Sequence, residues 1–266
     1  MLDWLGTLAI AAVLTTLFAL SLGIGWRLMR RRDRGASDGA SDGASTGAGY
    51  IVGSTLGLMS LLIGFTLALS LDRYEVRRRL VGEEASAIQT AWLRDSLQDQ
   101  PYRSQLDGLL RAYIRGRRLL PLAGLDPAAL DAQDRRSEAM QQRIWQVTAQ
   151  ALSTPNDARM TTVVLQATNA MFDAPSARRA ALDAQVPSPV LAALVIVATI
   201  AAAITGYGLA AGGHRHRIAS LGLFMVAALI IALIIELDEP ESGFIRVSQA
   251  PFDRVADSIL TAPPAP

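Results

Sequence analysis

From Tyr50 to Leu71 the chain reads YIVGSTLGLMSLLIGFTLALSL without a single charge, and at Asp72 it turns abruptly to DRYEVRRRL with no Pro or Gly between the two. As a helix, the apolar stretch is long enough to cross a hydrocarbon core about 30 Å thick. Nothing marks a helix stop at the boundary, so the pattern predicts one continuous helix that leaves the membrane and runs on into water. Composition agrees with a membrane chain. Hydrophobic residues make up 51% of the sequence and mean hydropathy is positive at +0.28, which leaves room for several spans and one modest soluble portion.

Three further apolar stretches have the length of a span: Leu5 to Trp26, Val190 to Ala211 and Ile218 to Leu237. Trp4 and Trp26 flank the first, where aromatic rings favour the membrane interface. Its acidic start and trailing arginines favour a retained helix over a cleaved leader. The expected fold is all-α, an integral membrane protein of four transmembrane helices with an extramembrane helical bundle inserted between the second and third spans. Residues 1–71 hold the first transmembrane pair, with the GASD repeat forming a flexible linker over 33–49. Residues 72–187 form the soluble helical region, 188–238 the second pair and 239–266 a tail. Apolar residues at helical spacing, with Pro127 after Asp126 and Pro155 after Thr154 as helix starts, predict soluble helices near 72–97, 101–119, 127–152, 155–172 and 175–184. In the tail, Phe244, Ile245, Val247, Phe252, Val255 and Ile259 are candidates to dock on neighbouring helices, and TAPPAP is expected to be disordered.

Enzymatic readings find little support. Cysteine is absent, so thiolate chemistry and Cys-ligated metal are excluded. His214 and His216 sit in an HRHR turn that suits lipid phosphates better than a metal, whose further donors are not placed nearby. There is no nucleotide-binding glycine loop and no nucleophile elbow. The sequence is therefore read as not an enzyme, with no cofactor, no metal and no nucleic-acid partner. Glu83 and Glu84, at helical spacing from Arg77, Arg78 and Arg79, are expected to form solvated ion pairs. No charge lies between the ends of any span, which argues against a proton relay built on intramembrane carboxylates. It leaves a channel open, because apolar constrictions and charged mouths can gate and select.

Within the second span Gly49, Gly53 and Gly57 recur every four residues, and Leu61 and Phe65 continue the line along one face. One reading is a packing stripe that lets helices approach closely. The same stretch resembles a known family. Gly64 and Phe65, Arg73 eight residues after the Phe, then Tyr74, Arg78, Leu80 and Gly82 are similar to the pore helix of bestrophins and of the bestrophin-like membrane proteins of bacteria. After the last span, IIELDEPESG followed by APFDR is similar to the acidic segment that follows the last bestrophin span. The resemblance implies a homo-oligomeric ion channel, most simply a pentamer, with the second helix lining the pore. Its apolar neck falls on Gly57, Leu61 and Phe65, although a bulky residue is expected where Gly57 stands. At the pore mouth, or in structural ion pairs, it places Arg73, Tyr74, Arg78, Glu236 and Asp238. A ring of Arg73 would attract anions, which slightly favours an anion as the permeant ion, while the acidic tail could ring an exit and favour cations; the other reading of Arg73 is an ion pair with Asp72 or Glu236. The acidic segment resembles the calcium region of animal bestrophins but lacks its Asn-Asp pair, so calcium is not expected.

Arginines near the membrane are almost equally numerous on the two sides, so the positive-inside rule does not decide orientation. The resemblance implies the bacterial inner membrane, multi-pass, with soluble helices and termini in the cytoplasm, and partners limited to a second copy of the chain, the lipid bilayer and inorganic ions. The rival reading is a non-conducting, membrane-anchored helical sensor or scaffold in which a helix shift relays binding.

Overall fold

The computed structural model describes residues 4–33, 41–118, 127–153, 158–212, 217–239 and 245–263. Among them are eight helices and no strand: α1 (Trp4–Asp33), α2 (Ser41–Asp95), α3 (Tyr102–Arg118), α4 (Pro127–Ser153), α5 (Ala158–Asp183), α6 (Ser188–Gly212), α7 (Arg217–Asp238) and α8 (Ala250–Thr261). Four stretches, within Trp4–Arg31, Gly49–Asp95, Arg159–Ala210 and Ile218–Asp238, are long and apolar enough to cross a membrane. The chain is a membrane protein. It divides into two compact units, one of residues 1–73 and 185–245, the other of 74–184 and 246–266.

In the first unit α1 packs along α6 and α7. Lipid tails are as apolar as the helices, so association there depends on how closely backbones can approach. Two glycines provide that approach. A methyl group on Gly25 would overlap the Ala203 carbonyl, and one on Gly206 would overlap the Leu22 carbonyl. Around this crossing Leu14, Phe18, Leu194, Ala198, Phe224 and Ile231 form a buried core. Phe18 meets Phe224 edge to face with ring centroids 6.0 Å apart, and the Ser21 hydroxyl donates to the Thr199 carbonyl at 2.8 Å.

In the second unit α3 packs on α4 and α8, and α4 on α5. Leu106, Leu110, Tyr113 and Ile114 line one face of α3, and Val81, Ala85, Ile88 and Ala91 line one face of α2 at matching helical spacing. Phe252, Val255, Ala256 and Ile259 bury the apolar face of α8 in the same core.

Two features depart from the sequence expectation. Residues 41–49, expected to be flexible linker, are the first turns of α2; 34–40 lie outside the described residues. The break expected between 172 and 175 is absent, because α5 runs through Pro175 unbroken. Met171 before the proline and Arg178 after it are both buried in the bundle, and that packing outweighs the cost of a proline inside a helix. In the tail, Phe252, Val255 and Ile259 dock in the core as expected and Val247 packs against it, within a segment that includes a twelve-residue helix, α8; Phe244 and the last three residues lie outside the described ones.

Asp95, in the last turn of α2, is buried with neither carboxylate oxygen hydrogen-bonded to described residues. Desolvation pushes its carboxyl up to about 7. A folded pKa above the unfolded value means that the folded state holds the proton longer, so stability is full below about pH 4 and falls as pH rises toward 7. Asp95→Asn should remove this slope, stabilising the protein above pH 7 by up to about 4 kcal/mol, measured by unfolding in detergent across pH 4 to 8.

The α1–α6 crossing gives a second test. Gly206→Val should destabilise by about 1–3 kcal/mol or more through forced separation of the two backbones. Gly57→Ala should leave the unfolding of a single chain unchanged or slightly improved, since a Cβ there meets nothing within 4 Å.

Candidate functional site

The midsection of α2 has two chemically different faces. Met59 and Ile63 are buried in the core of the first unit. Leu61 and Phe65 stand out from the chain, 56% and 68% exposed. Residues four apart share a helix face, so Gly57, Leu61 and Phe65 form one line, as the sequence predicts from their spacing. A methyl group added at Gly49, Gly53, Gly57 or Gly64 would meet nothing within 4 Å. This glycine stripe is therefore not what joins α2 to its own chain. Where α2 does approach α6 closely, the glycine is Gly208, whose Cβ would lie 2.8 Å from Val52 Cγ2.

Beyond the apolar stretch the mouth residues separate. Arg73 and Tyr74 are half-buried. Arg73 makes no ion pair with Asp72 or Glu236 among the described residues. Arg78 pairs with Glu75 at 3.5 Å and Arg79 with Glu83 at 3.3 Å, both in water, where such pairs contribute about 0–1 kcal/mol. Glu236 and Asp238 are nearly buried and serve as acceptors. Glu236 takes a hydrogen bond of 2.6 Å from the Thr7 hydroxyl. Asp238 receives the Val186 backbone N–H with both oxygens, at 2.8 and 3.0 Å. These contacts tie the end of α7 to the start of α1 and to the segment that leads into α6. His214, His216 and Glu241 lie outside the described residues, and no cluster able to hold a metal occurs among the described ones.

One charged centre departs from the sequence expectation. Glu83 forms the solvated pair expected of it, but Glu84 is fully buried and bonds to neither Arg77, Arg78 nor Arg79. Arg117 Nε and Nη2 donate to its Oε1 at 2.7 and 2.6 Å, and Arg178 Nη1 donates to its Oε2 at 3.1 Å. Burial lowers the Arg178 pKa, and the Glu84 carboxylate opposes that shift. Arg178 also donates to the Gln249 side chain at 3.1 Å and lies over the Phe252 ring at 5.6 Å. The sequence does carry a signal for this centre: Glu84 falls on the stripe of Ile88 and Ala91, four and seven residues on, and so points into the core. Arg77 instead caps α5, donating to the Ala181 and Ala184 carbonyls at 3.1 and 3.0 Å.

The arrangement offers an exposed apolar line on α2 and charged groups beyond it. A family model described as Bestrophin-like domain matches residues 10–252. Among solved structures, one variant of a bacterial bestrophin homolog from Klebsiella pneumoniae is 13% identical, covering 94% of this chain and 97% of that one, with a TM-score of 0.67. Another variant of that homolog is 14% identical with the same coverages and a TM-score of 0.65. At these identities the likeness establishes a shared fold. No curated protein sequence matches.

Removing one partner of a buried ion pair leaves an uncompensated charge and costs about 3–5 kcal/mol. Glu84→Gln, which strands two guanidinium groups, should therefore destabilise far more than Glu83→Gln, which should change stability by less than about 1 kcal/mol. Unfolding midpoints of the two variants in detergent check the contrast.

Proposed function

The chain belongs to the bestrophin-like family, and on that premise we propose that it is a homo-oligomeric ion channel whose pore is lined by α2. Closed rotational symmetry gives every copy the same axis-facing stripe, and five is the copy number that the resemblance implies. Leu61 and Phe65 form the apolar neck, where a narrow ring resists wetting and gates ions; Gly57 widens one level of it. The bacterial inner membrane is the site of action, with the helices of 72–187 and both termini in the cytoplasm, and inorganic ions are the cargo.

One observation supports this reading above the others. The face of α2 that carries Leu61 and Phe65 also exposes Ser54, Gly57, Gly64 and Ala68. A face built only for lipid gains most from continuous bulky apolar side chains. Large side chains at Leu58, Leu61, Phe65 and Leu69 alternate with these small ones, which leaves open levels and narrow ones, the profile of a path with a constriction.

Ion flux through the purified full chain in liposomes, under separate chloride and sodium gradients, tests the proposal. Phe65→Ala should raise flux about tenfold, the change that follows from lowering the barrier by ~1.4 kcal/mol. Correctly inserted oligomers that pass neither ion, in either protein, would overturn the channel reading and support the membrane-anchored sensor or scaffold.

A further inference from the structure

Resting on the α2-lined pore, we propose that Asp72 determines its selectivity and makes the channel favour cations. The anion expectation depends on Arg73 at the mouth. Helix geometry assigns that position to its neighbour. Each residue advances about 100° around an α-helix, so Asp72, seven residues after Phe65 and eleven after Leu61, falls within about 20° of both. Arg73 stands about 80–120° away from the same line. Exposure follows this angular order: Asp72 is open to solvent, whereas Arg73 is half-buried.

Asp72 is also uncommitted. It makes no hydrogen bond or ion pair among the described residues, while Glu236 and Asp238, the other carboxylates considered for the mouth, accept hydrogen bonds from Thr7 and Val186. If Leu61 and Phe65 face the axis, Asp72 faces it too, roughly 10 Å beyond Phe65 along the helix. It is the first charged side chain that an ion meets on that side of the neck. A ring of carboxylates, one from each copy, raises the local concentration of cations severalfold and lowers that of anions in the same proportion. The apolar neck has no charge of its own to oppose this, because no charged residue lies between Tyr50 and Leu71.

Reversal potentials of the purified full chain in planar bilayers, under a potassium chloride gradient, provide the test. The native protein should favour potassium over chloride. Asp72→Asn should lower the potassium-to-chloride permeability ratio by at least about threefold. Asp72→Glu should keep the native ratio, which guards against a general disturbance of the helix, and Arg73→Gln should shift the ratio less than Asp72→Asn. A native channel that prefers chloride, or a ratio unchanged by Asp72→Asn, would overturn the assignment while leaving the channel intact. Absence of conduction from both the native protein and Phe65→Ala would instead remove the pore reading, and this assignment with it.

Discussion

A helix in hydrocarbon must hydrogen-bond its own backbone, because no water is present to do so. Once that is met, lipid supplies no hydrophobic force to bring one span to another, and shape decides which helices touch. In the first unit the deciding shape is the absence of two side chains. Gly25 against Ala203 and Gly206 against Leu22 bring α1 and α6 to near backbone contact, and the Phe18–Phe224 contact and the Ser21 hydrogen bond are arranged around that crossing. The acidic end of α7 completes the unit by meeting donors from Thr7 and Val186, so that its carboxylates are satisfied by hydrogen bonds where they leave the apolar stretch.

In the second unit water is the solvent and apolar burial drives assembly, yet the most specific contact is polar. Glu84 with Arg117 and Arg178 is one carboxylate against two guanidinium groups, and such a centre persists only if its remaining charge is well accommodated. The accommodation comes from α8 and the residue before it, through the Gln249 side chain and the face of Phe252. Arg118, one residue beyond Arg117 in α3, reaches Asp253 and Asp257, both at 2.9 Å. Arg111 donates to the Leu260 and Ala262 carbonyls at the far end of the helix. An apolar stripe alone would let α8 slide along the core; this series of charged contacts fixes its register.

Much of this is legible in the sequence, and the rest is hidden for identifiable reasons. The four apolar stretches, the continuity of α2 past Asp72, and the starts of α3 and α4 follow from local composition and spacing. The line of Gly57, Leu61 and Phe65 does as well, because helical period alone places them. Gly25 and Gly206 do not stand out, because close approach is a property of a pair distant in sequence, and neither glycine differs locally from Gly23 or Gly222. At Glu84 the adjacent arginines suggest a local pair, while its place on the Ile88–Ala91 stripe carries the stronger information. Pro175 is a case of tertiary packing overriding a local signal, whereas α8 starts with a proline in its first turn, the same kind of signal that marks the start of α4.

The two faces of α2 bear differently on what acts upon the chain. Met59 and Ile63 answer to the core that surrounds them, and their identity is explained within one copy. The exposed glycines are not. A glycine inside a helix costs roughly 0.5–1 kcal/mol relative to alanine, and Gly49, Gly53, Gly57 and Gly64 recover none of it from their own chain, since no atom lies near enough to benefit. Lipid gives no compensation either, because it would accommodate a methyl group at each of these positions with added burial. Under the proposed assembly, a second backbone or a passing ion would use the space that a side chain would fill at these positions. The proposed axial arrangement would account for both the open glycines and the large apolar residues on the same line, since each copy would present that one face to the axis.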